Sequence, residues 1–264
     1  MPKERLRTLL AGLAERCDLP SLPAVATRAM ALARDPEASV EDMAKVVATD
    51  GPLAARVLRI SGSVVYAQRQ PPRSLLEAVR RLGFQTLRKI LIAASCRQAY
   101  RVEDPVGEQL WVHALATALA ADELAVLDGE PRGGLSFVAG LLHDMGRLVF
   151  HVADPSVYAR IAQFDEAAER ASFGLTHAEV GGALAFHWGL EDELAEAILQ
   201  HHGNQPPPLA VRLMVADRIA HATGYPSGAG EAEPVATLST ESDDLLAVSE
   251  HLAGVFDRER ALFD

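Results

Sequence analysis

Apolar residues recur at intervals of three and four almost from end to end of this 264-residue chain, and no run of alternating β-branched and aromatic residues breaks that rhythm. Such spacing lines one face of an α-helix and leaves no segment suited to a half-buried strand. An all-α fold is predicted. Hydroxyl residues followed three places on by an acid mark helix starts at Ser39 with Asp42, Ser74 with Glu77, Thr176 with Glu179 and Thr240 with Asp243, because the hydroxyl accepts a free backbone N–H and the acid reaches back. Glycines just past apolar runs mark ends at Gly83, Gly129, Gly189, Gly203 and Gly224. About a dozen helices of ordinary length result.

With 49% hydrophobic and 23% charged residues, the chain has the means to bury a core and is not a disordered segment. Cys17 and Cys96 are far apart and lack metal-type spacing, so the thiols are expected to be reduced. No stretch approaches the roughly 20 uninterrupted apolar residues of a membrane span. MPKERLRTLLAGLAER mixes charge with leucine rather than building a signal-peptide core. A cytoplasmic location without membrane association is expected.

Net charge is −11, unevenly spread. Residues 1–101 carry 17 Lys and Arg against 9 Asp and Glu, or +8, and the remaining 163 carry 8 against 27, or −19. A basic half suits an acidic ligand, or attraction between the two halves. The reversal falls at 102–107, VEDPVG, and a Gly-, Pro- and Ala-rich stretch follows Gly224. The expected organisation is a basic helical lobe at 1–103, a helical core at 104–223, a flexible linker at 224–239 and a C-terminal helical appendage at 240–264 that packs on the core or mediates self-association, packing being favoured. Residues 39–60 could imitate a helix-turn-helix, but Leu53, Val57, Leu58 and Ile60 fill much of the second helix with apolar side chains, so DNA reading is not expected.

All nine histidines lie beyond residue 112. His113 shares a helical stripe with Leu110, Ala114, Thr117, Ala121 and Leu124, His177 with Val180, Gly181, Leu184 and Trp188, and His201 with Leu194, Ala197 and Ile198. Asp217 aligns with Leu209, Leu213, Ala216 and Ala220. These polar groups face inward, where an unpaired charge costs several kcal/mol. A histidine bonded to a carbonyl explains any one of them, and His151, His187, His221 and His251 keep that reading. Several helices turning ligand types inward together point to a shared cation.

The sharpest element is His143 with Asp144 in LSFVAGLLHDMGRLVF. Read as one helix, it aligns His143 with Ala139 and Gly146, and Asp144 with Gly140 and Arg147, small neighbours that let other helices close in. Imidazole and carboxylate ligation without thiolate suits zinc, iron or manganese, and magnesium less well.

The order His113, His143–Asp144, Asp217 resembles the signature of HD-domain metal-dependent phosphohydrolases, an all-α fold whose matching positions bind a divalent cation. His177 in THAEVG and His201 with His202 in ILQHHG resemble the additional histidines of the HD-GYP subgroup, which implies a second metal and a binuclear centre. LPSLPAVATRAMAL, ASVEDMAKVVATDGPLAARVLRISGS and SLLEAVRRLGFQTLRKILIA resemble the N-terminal part of the HDOD family of bacterial signalling proteins. That resemblance implies an HD-domain-like core with an N-terminal helical lobe and a regulatory role through contacts with signalling proteins, with a nucleotide or cyclic dinucleotide as a further ligand class. No companion receiver module is expected within these 264 residues.

Two departures limit the chemistry. The lysine usual after the HD pair is Arg147, and the 14 residues between His202 and Asp217 lack a Gly-Tyr-Pro element, the triplet at Gly224–Pro226 falling after Asp217. Regulation by contact is therefore the leading expectation. Were the site hydrolytic, acting on a phosphodiester or nucleotide, Asp144 would bridge the ions, Arg147 would offset phosphoryl charge and His202 would protonate the leaving oxygen.

Overall fold

The computed structural model describes residues 8, 11–12, 14–15, 19–22, 24–35, 37–62, 70–100, 105–130, 132–161, 165–228 and 243–263. Cys17, the Thr240 cap, residues 102–104 of the charge reversal and 229–239 of the expected linker lie outside them. Among the described residues there are thirteen helices and no strand. Ala24–Arg34 (α1), Val40–Ala48 (α2), Gly51–Ser61 (α3) and Leu75–Ala99 (α4) come first. Pro105–Leu127 (α5), Leu135–Leu142 (α6), Met145–Ala153 (α7), the single turn Pro155–Tyr158 (α8), Glu166–Phe173 (α9), His177–His187 (α10), Asp192–Gln200 (α11) and Pro208–Ala222 (α12) follow, and Asp243–Arg260 (α13) closes the chain.

The expected starts at Ser39 and Thr176 form full capping boxes, each satisfying two backbone N–H groups. At Ser74 only half the motif forms: the hydroxyl accepts the Glu77 N–H, while the Glu77 carboxylate takes the Arg73 N–H at 2.7 Å. Gly83 (φ +72°) bends α4 rather than ending it, a conformation that side chains other than glycine rarely adopt.

Helices α1, α2 and α3 pack on α4, which reaches α6, and α5 lies against α6, α12 and α13. A single apolar cluster runs from Val25 to Phe263 through both lobe and core. Each large side chain fully buried in it contributes about 1.5–3 kcal/mol relative to exposure. Helix α13 buries Val248, Leu252 and Phe256, with Phe256 stacked on Tyr225 at 4.0 Å between ring centroids.

The basic and acidic halves meet in ion pairs: Arg88 with Glu191 at 3.1 Å and Arg97 with Glu108 at 3.1 Å. Arg56, on the second helix of the segment that imitates a helix-turn-helix, donates to the Phe263 carbonyl at 2.6 Å. Helix α5 is the most apolar of the long helices. By length and mean hydropathy it could cross a membrane, but Glu108, His113, Asp122 and Glu123 interrupt it and 72% of its most apolar stretch is buried inside the bundle. It is the central core helix.

Candidate metal centre

The His143–Asp144 pair does not lie within a helix, as the sequence reading had it. Helix α6 ends at Leu142, His143 is its C-cap, and Asp144 (φ −97°, ψ 11°) turns the chain into α7. The break frees both side chains from one helical stripe and aims them at a common point. The flanking glycines make this possible: a Cβ on Gly140 would lie 2.4 Å from Ala118 Cα, and one on Gly146 would lie 2.1 Å from the His177 carbonyl oxygen.

Seven expected ligands converge there in two groups. His113 Nε2 is 3.2 Å from His143 Nε2 and 3.0 Å from Asp217 Oδ1, and Asp144 Oδ2 lies 3.6 Å from both rings. In the second group His177 Nε2 is 3.3 Å from His201 Nε2 and 3.1 Å from His202 Nε2. Asp144 joins them, its Oδ1 standing 3.4 Å from His177 Nε2. His113, His143, Asp144, His177 and His201 are buried, Asp217 is partly exposed and His202 is exposed.

Partners on the far side of the rings fix the proton positions. Nδ1 of His113 meets the Tyr225 carbonyl at 2.7 Å, that of His143 the Gly140 carbonyl at 2.8 Å and that of His201 the Ile198 carbonyl at 2.6 Å. His177 Nδ1 meets Glu169 Oε2 at 2.7 Å. Carbonyls only accept, so Nδ1 of His113, His143 and His201 carries a hydrogen, and a ring without a second proton presents an Nε2 lone pair to its neighbours. Lone pairs facing at 3.2–3.3 Å repel. They become compatible around a cation bound at about 2.0–2.1 Å, whose ligands stand roughly 2.9–3.4 Å apart at bond angles near 90–110°. Asp144 Oδ1 is buried with no hydrogen-bond partner among the described residues, the kind of oxygen such a cation satisfies. The residues present thus fit a divalent metal, and Asp144 faces both groups.

Electrostatics agree. Burial pushes Asp144 up, but Arg147 and the surrounding imidazoles outweigh it and hold the carboxyl well below the usual range. Burial likewise opposes Asp217, and the facing His113 and His143 rings overcome it and hold its carboxyl well below the usual range. Burial and Arg147 keep His177 neutral far below its ordinary value, and burial with His202 brings His201 down to about 3. His143 goes the other way, since Asp144 and Asp217 together outweigh its burial. Arg147 sits behind the cluster, its Nε 2.9 Å from Asp144 Oδ2.

Three supporting residues were not expected. Glu169 is fully buried and takes both the backbone N–H and the ring of His177; burial above all raises its carboxyl to about 8. Its signal was the apolar Phe173 four places on, masked by neighbouring charges Glu166 and Arg170. His221, read as an ordinary core histidine, lies one helical turn from Asp217 with Nε2 3.6 Å from Oδ1. The Tyr225 carbonyl belongs to the Gly224–Pro226 triplet that falls after Asp217, and it orients His113. Residues 224–228, assigned to a linker, therefore close against the site.

The HDOD domain profile matches residues 19–204. Over 205 residues the chain is 27% identical to an uncharacterized protein of Treponema pallidum, covering 74% of this chain and 40% of that protein. Over 108 residues it is 31% identical to ribonuclease Y of Pseudothermotoga lettingae, covering 40% of the chain and 16% of the enzyme. The chain spans less than half the length of these curated relatives. Among solved structures, an HDOD domain protein of unknown function from Geobacter sulfurreducens superposes with a TM-score of 0.79 at 26% identity, over 99% of this chain and 98% of that one. A candidate phosphohydrolase from Shewanella amazonensis superposes with a TM-score of 0.73 at 25% identity, over 97% and 98%. The profile match ends before α12, so Asp217 and His221 join the centre on geometry alone. All-helical architecture, matched lobe and matched core together place the chain in the HDOD domain family.

Proposed function

We propose that this protein is a cytoplasmic signal-transduction regulator of HDOD type, acting through contacts with other signalling proteins and carrying a divalent metal centre, binuclear across Asp144, as a rigid platform. The observation that carries this reading is enclosure. Five of the seven converging ligands are buried, and Arg147, the charge that would serve phosphate, is buried against Asp144. Structural metal sites are closed in this way, whereas catalytic ones keep a position open. His113, His143, Asp144 and Asp217 would hold one ion, with His177, His201, His202 and Asp144 holding a second of zinc, iron or manganese type. Such ions supply Lewis-acid polarisation.

One feature favours phosphohydrolysis as the second reading. His202, the exposed member of the second histidine group, lines a shallow cleft with Thr176, Glu179 and Gln200. In that reading His202 would donate a proton to a leaving oxygen. The test is elemental analysis of the purified chain together with turnover of bis(p-nitrophenyl) phosphate, with His143→Ala and Asp144→Ala as controls. Bound metal with turnover no higher than in the controls is expected. Turnover that disappears in both controls would replace the platform reading with the hydrolase.

A further inference from the structure

A second concave site lies where lobe, core and C-terminal helix meet, nine positions along α5 from His113, or about 14 Å of helical rise. Its base holds Lys89 of α4, Asp122 of α5 and Glu259 of α13, and its walls include Leu119, Leu252 and Val255. All three charged residues are buried. Lys89 Nζ stands 3.6 Å from Asp122 Oδ2 and 3.7 Å from Glu259 Oε2, within ion-pair range but beyond hydrogen-bonding reach. The ammonium also lies over the Phe137 ring at 4.6 Å, a cation–π contact that holds it between the two acids.

The arrangement leaves specific groups unsatisfied. Asp122 Oδ1 accepts the Gly133 N–H at 2.6 Å. Asp122 Oδ2 and Glu259 Oε2 are buried with no hydrogen-bond partner among the described residues. One ammonium against two carboxylates leaves the base with a formal charge of −1. The rim does not correct it: Arg132 bonds both oxygens of Glu123, His251 also meets Glu123 at 3.0 Å, and Arg258 is exposed, where water and salt screen it. Buried acceptors without donors cost about 1–3 kcal/mol each. Water would satisfy the oxygens but not the charge, and Lys89 would repel a divalent ion twice as strongly as a monovalent one.

We infer that this cavity binds a compact organic monocation, a primary alkylammonium or alkylguanidinium, whose N–H groups donate to Asp122 Oδ2 and Glu259 Oε2 while its alkyl part lies against Leu119, Leu252 and Val255. Because the two acceptors and the apolar walls come from α5 and α13, occupancy ties the C-terminal helix to the core. The site is independent of the histidine cluster.

Calorimetric titration of the full chain with n-butylammonium and n-butylguanidinium chloride tests this, with n-butanol and sodium butyrate as controls. Saturable binding of at least one cation and of neither control is expected, weakened at least about tenfold by Asp122→Asn and by Val255→Trp, with slower amide exchange in α13 on binding. Val255 is only partly buried, so Val255→Trp fills the cavity from its edge and decides the matter should Asp122→Asn fail to fold. No saturable binding of either cation up to about 10 mM, or undiminished binding in Val255→Trp, overturns the proposal.

Discussion

Glu169 shows how one carboxylate can set the chemistry of a neighbour without touching the centre itself. It holds the His177 ring by Nδ1 and so delivers the Nε2 lone pair to the second group. Glu169→Gln is expected to lower affinity for one metal equivalent about 10- to 100-fold while sparing the other; competitive titration with a chelating dye reads the two equivalents separately. Equal loss at both would show that Glu169 serves the fold rather than His177. His113, His177, His201 and Asp217 were legible because each follows an apolar stripe where a polar side chain is out of place, and His143, Asp144 and His202 through the motifs HDMGRL and ILQHHG. Glu169 was not, because a glutamate among Glu166 and Arg170 reads as solvated surface, and only the tertiary contact with His177 reveals it. The hidden role of Tyr225 has a different cause: its carbonyl does the work, and a backbone acceptor leaves no mark on residue identity.

At the level of helices, the turn between α6 and α7 matters most. The sequence pattern is helical on both sides of His143–Asp144, so the break was invisible to periodicity. What betrays it is the pair of glycines, each filled by a neighbouring backbone. Gly146→Ala forces a methyl group into the His177 carbonyl, and overpacking of this kind costs about 1–3 kcal/mol or more. A melting temperature lowered by at least a few degrees is expected, together with reduced metal content, and an unchanged melting curve would refute the close approach. Helix starts were read more reliably, since a cap needs only local residues. In α2 the Ser39 hydroxyl first, then Lys45, bring the Asp42 carboxyl down to about 2. A lowered carboxyl stabilises the folded form above the unfolded value near 4, and the contribution fades as pH falls toward about 2. Ser39→Ala should move the Asp42 titration, followed by NMR of its side-chain carboxyl, upward toward its ordinary value, and an unmoved midpoint would exclude the cap as its cause.

For the molecule as a whole, the charge asymmetry has a structural use: Arg88, Lys89 and Arg97 of α4 meet acids from α5, from the N-cap of α11 and from α13. The all-α class, the packed C-terminal helix and the family were all legible in the chain, because they rest on repetition over many residues. The junction cavity was not, since its three charges come from positions 89, 122 and 259 and share no local pattern. A metal that binds only the folded chain stabilises it by about 2.7 kcal/mol at 100 times its dissociation constant, so chelation should lower the melting temperature by about 5–10 °C, with recovery on adding back metal. No shift on complete removal would mean that the histidines hold together without an ion.

The convergence of His113, His143, Asp144, His177, His201, His202 and Asp217 on a divalent centre is tested most directly by anomalous diffraction from crystals of the purified protein at transition-metal absorption edges. Two peaks flanking the Asp144 carboxylate, each about 2.0–2.2 Å from its imidazole nitrogens, are predicted. A map without such peaks, with the Nε2 atoms hydrogen-bonded to water or to one another, would contradict it.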